Sequence, residues 1–182
     1  SGAGAGSAGT GSRGVVAQDM IAVYYHDNLN SAQADPAISA VLDRKAQASP
    51  FHRLDWWEAL HRHCLPDAAV QLIGARDDAG KSAWLPLMRL PARIASAGSW
   101  QALANYYCFT GGPAFSPGCT AQDKAALLAA IAASLAKQAW RIDLAPLADE
   151  TGEVALIERA FSTAGWNVGQ TACDSNHILA LD

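Results

Sequence analysis

The apolar residues of this chain fall into short continuous runs and longer runs at helical spacing, and their alternation predicts a mixed sheet interleaved with helices. Val15 to Tyr25, with Met20, Ile21, Val23 and Tyr24, is β-branched and aromatic enough for a first strand, which His26-Asp27-Asn28 ends. Asp35-Pro36 places an N-cap residue before a proline at the first helical position, predicting a short helix with Ile38, Val41 and Leu42 that ends near Ala48. Ser49-Pro50 breaks the chain. Asp55, with Glu58 three residues on, predicts a second capped helix carrying Trp56, Trp57, Leu60 and Cys64. Val70 to Ile73 and Ser82 to Leu90, joined by Asp77-Asp78-Ala79-Gly80, predict an antiparallel hairpin. Pro86 cannot donate to the ladder, so its position is expected at an edge or a bulge.

The stretch from Trp100 to Leu144 organises the rest. Trp100 to Phe109 reads as a strand buried on both faces, halted by Thr110-Gly111-Gly112-Pro113. Thr120 and Asp123 form a capping-box start for a helix with Leu127, Leu128, Ile131 and Leu135 at helical spacing. Trp140 to Leu144 follows as a strand, so this is a strand-helix-strand crossover with parallel outer strands. Glycine lets backbone approach a ligand, and a helix's first N–H groups attract anions, so this join is the candidate site for a pyrophosphate. The alternative is that Gly111 and Gly112 simply end a strand. Further on, Thr151 is expected to cap a helix with Val154, Ile157 and Phe161, closed by Gly165 in a left-handed cap. Trp166 to Val168 and His177 to Leu181 are expected as closing strands, with Cys173-Asp174-Ser175-Asn176 as a turn between them.

Composition narrows the function classes. The 182 residues are 51% hydrophobic and 16% charged with a net charge of −4, which fits one globular domain and excludes a basic nucleic-acid surface. No apolar run reaches the roughly 18 residues of a membrane span. Residues 1–14 are almost all Gly, Ala and Ser, a flexible tail, leaving 15–182 as the domain. That tail lacks the apolar core of a signal peptide, and Cys64, Cys108, Cys119 and Cys173 form no CxxC pair, so buried free thiols in the cytoplasm are expected and no metal. His61 and His63, two apart, point to different faces of a helix and are expected to be solvent-facing or locally bonded.

The order of elements resembles the GNAT acyltransferase fold, an α/β architecture whose mixed sheet has an antiparallel first part, a central parallel crossover and helices on both faces. Ser49-Pro50-Phe51 with Trp56-Trp57, Trp84-Leu85-Pro86-Leu87, Gly111-Gly112-Pro113, Trp140-Arg141-Ile142-Asp143-Leu144, and Gly165-Trp166 before Asn176-His177 are similar to the first half of tandem-GNAT proteins associated with cellulose biosynthesis and related to FemAB peptidyltransferases.

This resemblance implies an acyltransferase lineage that uses acetyl-CoA or another acyl-CoA. It also implies that the chain, ending at Asp182 where a second half would begin, is an incomplete or N-terminal half. The family's coenzyme motif does not match Ala114 to Cys119; Gln71 to Arg76 comes closest, on the wrong strand. Two function classes follow. In the first, backbone N–H groups at Gly111, Gly112, Gly118, Cys119 and Thr120 hold the coenzyme, weakly or not at all in this chain alone, since Pro113 and Pro117 lack donors. In the second, a non-catalytic module packs against a second GNAT-like half, or a homodimer, and shapes its acceptor cleft. No catalytic residue is assigned; Tyr106 and Tyr107 are candidates for a leaving-thiol acid, with buried aromatic packing as the favoured role. Leu179-Ala180-Leu181 is expected to leave an apolar sheet edge that promotes self-association.

Overall fold

The computed structural model describes residues 20–89, 98–149 and 152–172. The 1–14 tail, Thr151, the Cys173 to Asn176 turn and the closing strand at His177 to Leu181 lie outside the described residues.

The first strand, β1 (Ala22–His26), is followed by Asn28, whose side chain accepts the Ser31 N–H at 2.8 Å and so caps α1 (Leu29–Gln33), a helix the sequence pattern did not predict. Asp35 caps α2 (Pro36–Val41) as expected, but that helix stops well before Ala48. The reason is Asp43, whose carboxylate accepts the N–H groups of Lys45 and Ala46 at 2.7 and 2.8 Å and bends the chain into a turn. A 3-10 turn at Pro50–His52 leads into α3 (Leu54–Cys64). Asp55 does not cap α3: it lies inside the first turn, and the Leu54 N–H is satisfied instead by the Leu42 carbonyl at 3.1 Å.

The hairpin of β2 (Ala69–Arg76) and β3 (Ser82–Arg89) forms in full, turning at Gly80 with φ of 83°. Next come β4 (Ser99–Ala102), β5 (Ala114–Phe115), α4 (Ala121–Leu135), β6 (Arg141–Asp143) and α5 (Glu153–Thr163). The strands make one six-stranded mixed sheet in the order β1-β2-β3-β4-β6, with β5 also on β3. Pairings among β1 to β5 are antiparallel, whereas β4 and β6 are parallel across the α4 crossover.

Alternation along β2 and β3 divides the core into two. Val70, Leu72, Trp84 and Met88 face α1 to α3, while Ile73, Ala75, Ala83, Leu85 and Leu87 face α4 and α5. Helices therefore cover both faces, which is why β3 is buried from Ser82 to Met88. On the first face a Cβ at Gly74 would lie 2.1 Å from the Trp84 ring directly across the ladder, so this glycine is a seat for an indole and not part of a ligand loop. At the end of α5 the backbone turns through Gly165 at φ of 88°, as expected. Trp166 to Val168 forms no strand; Trp166 instead folds back, its indole N–H donating to Ala132 O at 2.9 Å.

The long strand expected from Trp100 to Phe109 is corrected most. Gln101 pairs with Met88 and Ala102 with Leu87, and the Leu103 N–H reaches Pro86 O at 3.0 Å. The next residues to pair with β3 are Ala114 and Phe115, opposite Trp84 and Ala83. Thus β4 and β5 follow one antiparallel track along β3, with the residues between them looped out. Asn105 starts the excursion by accepting the Tyr107 N–H on its side chain at 3.0 Å and the Cys108 N–H on its carbonyl at 3.0 Å. Tyr106, Tyr107 and Phe109, expected to pack inside, are 91, 74 and 61% exposed. Pro86 lies in a central strand, and because its carbonyl points at Leu103, its missing N–H faces the excursion and removes no bond to β2.

Candidate functional site

In a sheet of this kind the open positions lie beyond the carboxyl ends of parallel strands, where successive connections diverge. Here β4 runs into the excursion that carries Thr110 to Gly112, and β6 runs through a short loop into the first turn of α5. These two connections meet. The Gly111 N–H donates to Pro146 O at 2.7 Å, and a Cβ on Gly111 would lie 2.7 Å from that of Ala102. A Cβ on Gly112 would lie 2.2 Å from Glu153 Oε1. Both glycines are therefore required by close approach within the protein: Gly111 to Ala102, Gly112 to a carboxyl group.

That carboxyl group is the chemical centre of the junction. The Thr110 hydroxyl donates to Glu153 Oε2 at 3.4 Å and accepts the Gly112 N–H at 3.1 Å, so the loop both seats and orients Glu153. Burial disfavours the carboxylate and pushes Glu153 up to about 7, against the opposing effects of the Thr110 hydrogen bond and the Lys124 charge. A carboxyl group that titrates near neutrality can take up or release a proton at physiological pH.

Two further groups face this junction. Lys124, in α4, places its ammonium 5.1 Å from the centre of the Phe115 ring. Its charge acts on both Glu153 and His52. His52 belongs to the 3-10 turn, which is brought alongside the excursion by the Phe51 and Phe109 rings, 5.4 Å apart edge to face. Burial, with Lys124 acting in the same direction, lowers His52 below its ordinary value, and its Nε2 is buried without a hydrogen-bond partner.

Gly118, Cys119 and Thr120 gather at the start of α4, not at Glu153. Gly118 has φ of 81° in the turn closed by Cys119 N–H to Ser116 O at 3.4 Å, and no atom stands within 4 Å of where its Cβ would be. Cys119 Sγ contacts Ser116 Oγ at 3.3 Å. The predicted capping box is complete: Thr120 Oγ1 accepts the Asp123 N–H at 3.2 Å, and Asp123 Oδ2 accepts the Thr120 N–H at 2.7 Å. Lys81 adds an ion pair to that same oxygen at 2.7 Å. The chain's own carboxylate thus occupies the end of the helix where the sequence pointed to a pyrophosphate.

Glu153, Lys124 and His52 were missed for a common reason. An acidic residue in a helix's first turn and a lysine one turn into another are ordinary solvated choices in sequence. Only the glycine that admits Glu153 separates it from them. Elsewhere, His61 Nε2 lies 3.1 Å from Ala68 O, a local bond. Of the cysteines described, Cys108 is buried, Cys119 partly so, and Cys64 exposed, against the expectation of burial. A surface hollow of about 200 Å³ beside α3 is lined by Asp43, Arg44, Asp55 and Glu58, with Arg44 and Asp55 paired at 3.0 Å.

Fold and site together define an α/β protein with a two-faced mixed sheet and a titratable carboxyl group at the ends of its parallel pair. The chain matches no family model, no curated protein and no solved structure with which it was compared. Among the described residues no helix is long and apolar enough to cross a membrane.

Proposed function

We propose that this chain is a GNAT-lineage acyltransferase unit, transferring an acyl group from an acyl-CoA to an amine, with Glu153 as the proton acceptor. The observation that carries this reading is the Glu153 carboxyl, held by Thr110 beside Gly112 and titrating at about 7 where the parallel strands end. The antiparallel first part, the β4-α4-β6 crossover and the outward loop between β4 and β5 support the same lineage. The thioester supplies the activated carbonyl. Glu153 removes the proton from the amine nitrogen as that nitrogen bonds to the carbonyl carbon, and the thiolate leaves. Thr110 keeps one carboxyl oxygen engaged and leaves the other for the incoming amine.

The test is thiol release from acetyl-CoA with a panel of primary amines between pH 5.5 and 9. The expected kcat/KM rises with pH through a single ionisation near 7, and Glu153→Gln lowers it about 100-fold or more. Absence of amine-dependent thiol release, or an undiminished Glu153→Gln rate, overturns the reading.

A second reading, a non-catalytic module that packs against another GNAT-like half and shapes its acceptor cleft, draws on Tyr106, Tyr107 and Phe109, whose exposed rings stand on the excursion beside the site. It predicts that a partner half, supplied in trans, protects these rings from solvent.

A further inference from the structure

The two rims of the sheet are built differently. At one rim β6 is only three residues long, and Arg141 and Asp143 pair on it at 2.9 Å, each about half-exposed. A short, charged edge of this kind discourages the approach of another strand. At the other rim β1 makes five consecutive pairs with β2, and among the described residues no strand covers its outer side. From Met20 to His26 it carries no lysine, arginine, carboxylate or proline, and its ladder with β2 has no bulge. Met20, Ala22 and Tyr24 are exposed. The usual means of blunting an edge are absent from β1.

This rim is also held in place. On one face Tyr24 and His26 lie against the Trp84 ring, at 6.5 and 6.0 Å between ring centres, and the Arg76 guanidinium stands 5.6 Å from the centre of the Tyr24 ring. On the other face the Tyr25 hydroxyl hydrogen-bonds Ser134 of α4. Ahead of the strand the Met20 N–H donates to Asp78 Oδ2 at 3.2 Å. Alternate N–H and C=O groups of an antiparallel edge strand point outward, so β1 offers a preformed, uncharged row of donors and acceptors. A strand that pairs there meets little ordering cost on this side.

We infer that β1 is a pairing edge whose partner is the β1 of a second copy of this chain, the two joined antiparallel into one continuous sheet. Identical edges brought together by a twofold axis normal to the sheet pair antiparallel. With that axis at Tyr24, Ala22 faces His26 of the second copy, Val23 faces its Tyr25, and the two Tyr24 rings face each other. Small residues then meet large ones on both flanks, aromatic rings meet at the centre, and no like charges stand opposed. The contact is independent of acyl transfer, since β2 and β3 separate β1 from the β4 end where Glu153 sits.

An edge of five residues is a small contact beside the roughly 1,200 Å² of a specific stable interface, so a weak dimer with a Kd of about 0.1 mM is expected. Sedimentation velocity from about 10 μM to about 1 mM tests this, with hydrogen exchange of the β1 amides followed by mass spectrometry across the same range. A monomer–dimer equilibrium is expected, with β1 exchanging more slowly as the dimer forms. Tyr24→Lys sets two ammonium groups face to face and should weaken the dimer about tenfold or more, while Tyr24→Phe keeps it. Ala22→Lys, at an exposed position, gives the same weakening should Tyr24→Lys disturb its own contacts with Trp84. A monomer up to about 1 mM overturns the inference. So does a dimer that both lysine variants leave unchanged, which places the contact elsewhere, as at the exposed Tyr106 and Tyr107. Protection of β1 that is the same at every concentration overturns it too, because the edge is then already paired within one chain.

Discussion

At the scale of single residues, the contact between Gly112 and Glu153 links stability to chemistry. Adding one methyl group in Gly112→Ala brings a carbon within 2.2 Å of Glu153 Oε1, so the variant must displace the carboxyl or shift the loop. A loss of about 1–3 kcal/mol in urea unfolding is expected, as for other overpacked sites. If the collision is the cause, combining it with Glu153→Ala recovers most of that loss, and a double-mutant cycle measures the coupling. Gly118→Ala meets no atom within 4 Å, and its cost of about 1 kcal/mol comes only from the left-handed backbone. Glu153 also has a pH signature. Its carboxyl is raised from 4.5 to about 7 in the folded protein, so the folded state holds a proton there that the unfolded chain gives up. The stability associated with that proton is fully present below pH 4.5 and is lost as pH rises through about 7. Unfolding measured at pH 5 and pH 8 should show this fall in the native protein and a flatter profile in Glu153→Gln.

Among the elements, the start of α4 behaves in the opposite sense. Asp123 is lowered to about 2 by its hydrogen bonds to Lys81 and Thr120, so the stability it contributes is present above about 3.8 and is lost as pH falls through about 2. Replacing Lys81 by Met should raise the acid-unfolding midpoint followed by circular dichroism, and Thr120→Ala should cost about 1 kcal/mol through the lost cap. This helix was legible in the sequence because its signals are local: a capping pair and apolar residues at helical spacing. The hairpin was legible for the same reason. The outcome differed wherever a side chain competed with the backbone, as Asp43 does in shortening α2 and Asn105 does in ending β4. Aromatic letters after Asn105 resemble a strand, but a turn formed by one amide overrides them. The candidate glycines were singled out for backbone approach to a ligand; in the fold Gly118 has nothing near it, and what approaches Gly112 is a carboxyl group from α5, a contact between residues 41 positions apart that no local pattern encodes.

For the whole molecule, weak coenzyme binding by this chain alone is the expected outcome, because Asp123 and Lys81 already take the start of α4. Titration with acetyl-CoA is expected to give a Kd above about 10 μM, weaker than roughly 7 kcal/mol of binding free energy. The three exposed rings set a second expectation. Replacing Tyr106 and Tyr107 by Ser should leave stability within about 0.5 kcal/mol, as for other surface changes, while reducing any association through these rings seen by sedimentation; Phe109, packed on Phe51, is not such a position. The geometry of that excursion reaches further than its present contents. Its two ends are fastened to neighbouring positions on one strand, Leu103 to Pro86 and Ala114 opposite Trp84, so the frame registers where the loop departs and returns but not how long it is. Doubling the length of such a tethered segment costs only about 0.6 kcal/mol in closure entropy. Between Asn105, which forms the turn, and Cys108, which is buried, the exposed positions Tyr106 and Tyr107 are therefore where new wording or extra length can be grafted, while Thr110 to Gly112 and the carboxyl group they seat stay where the sheet holds them.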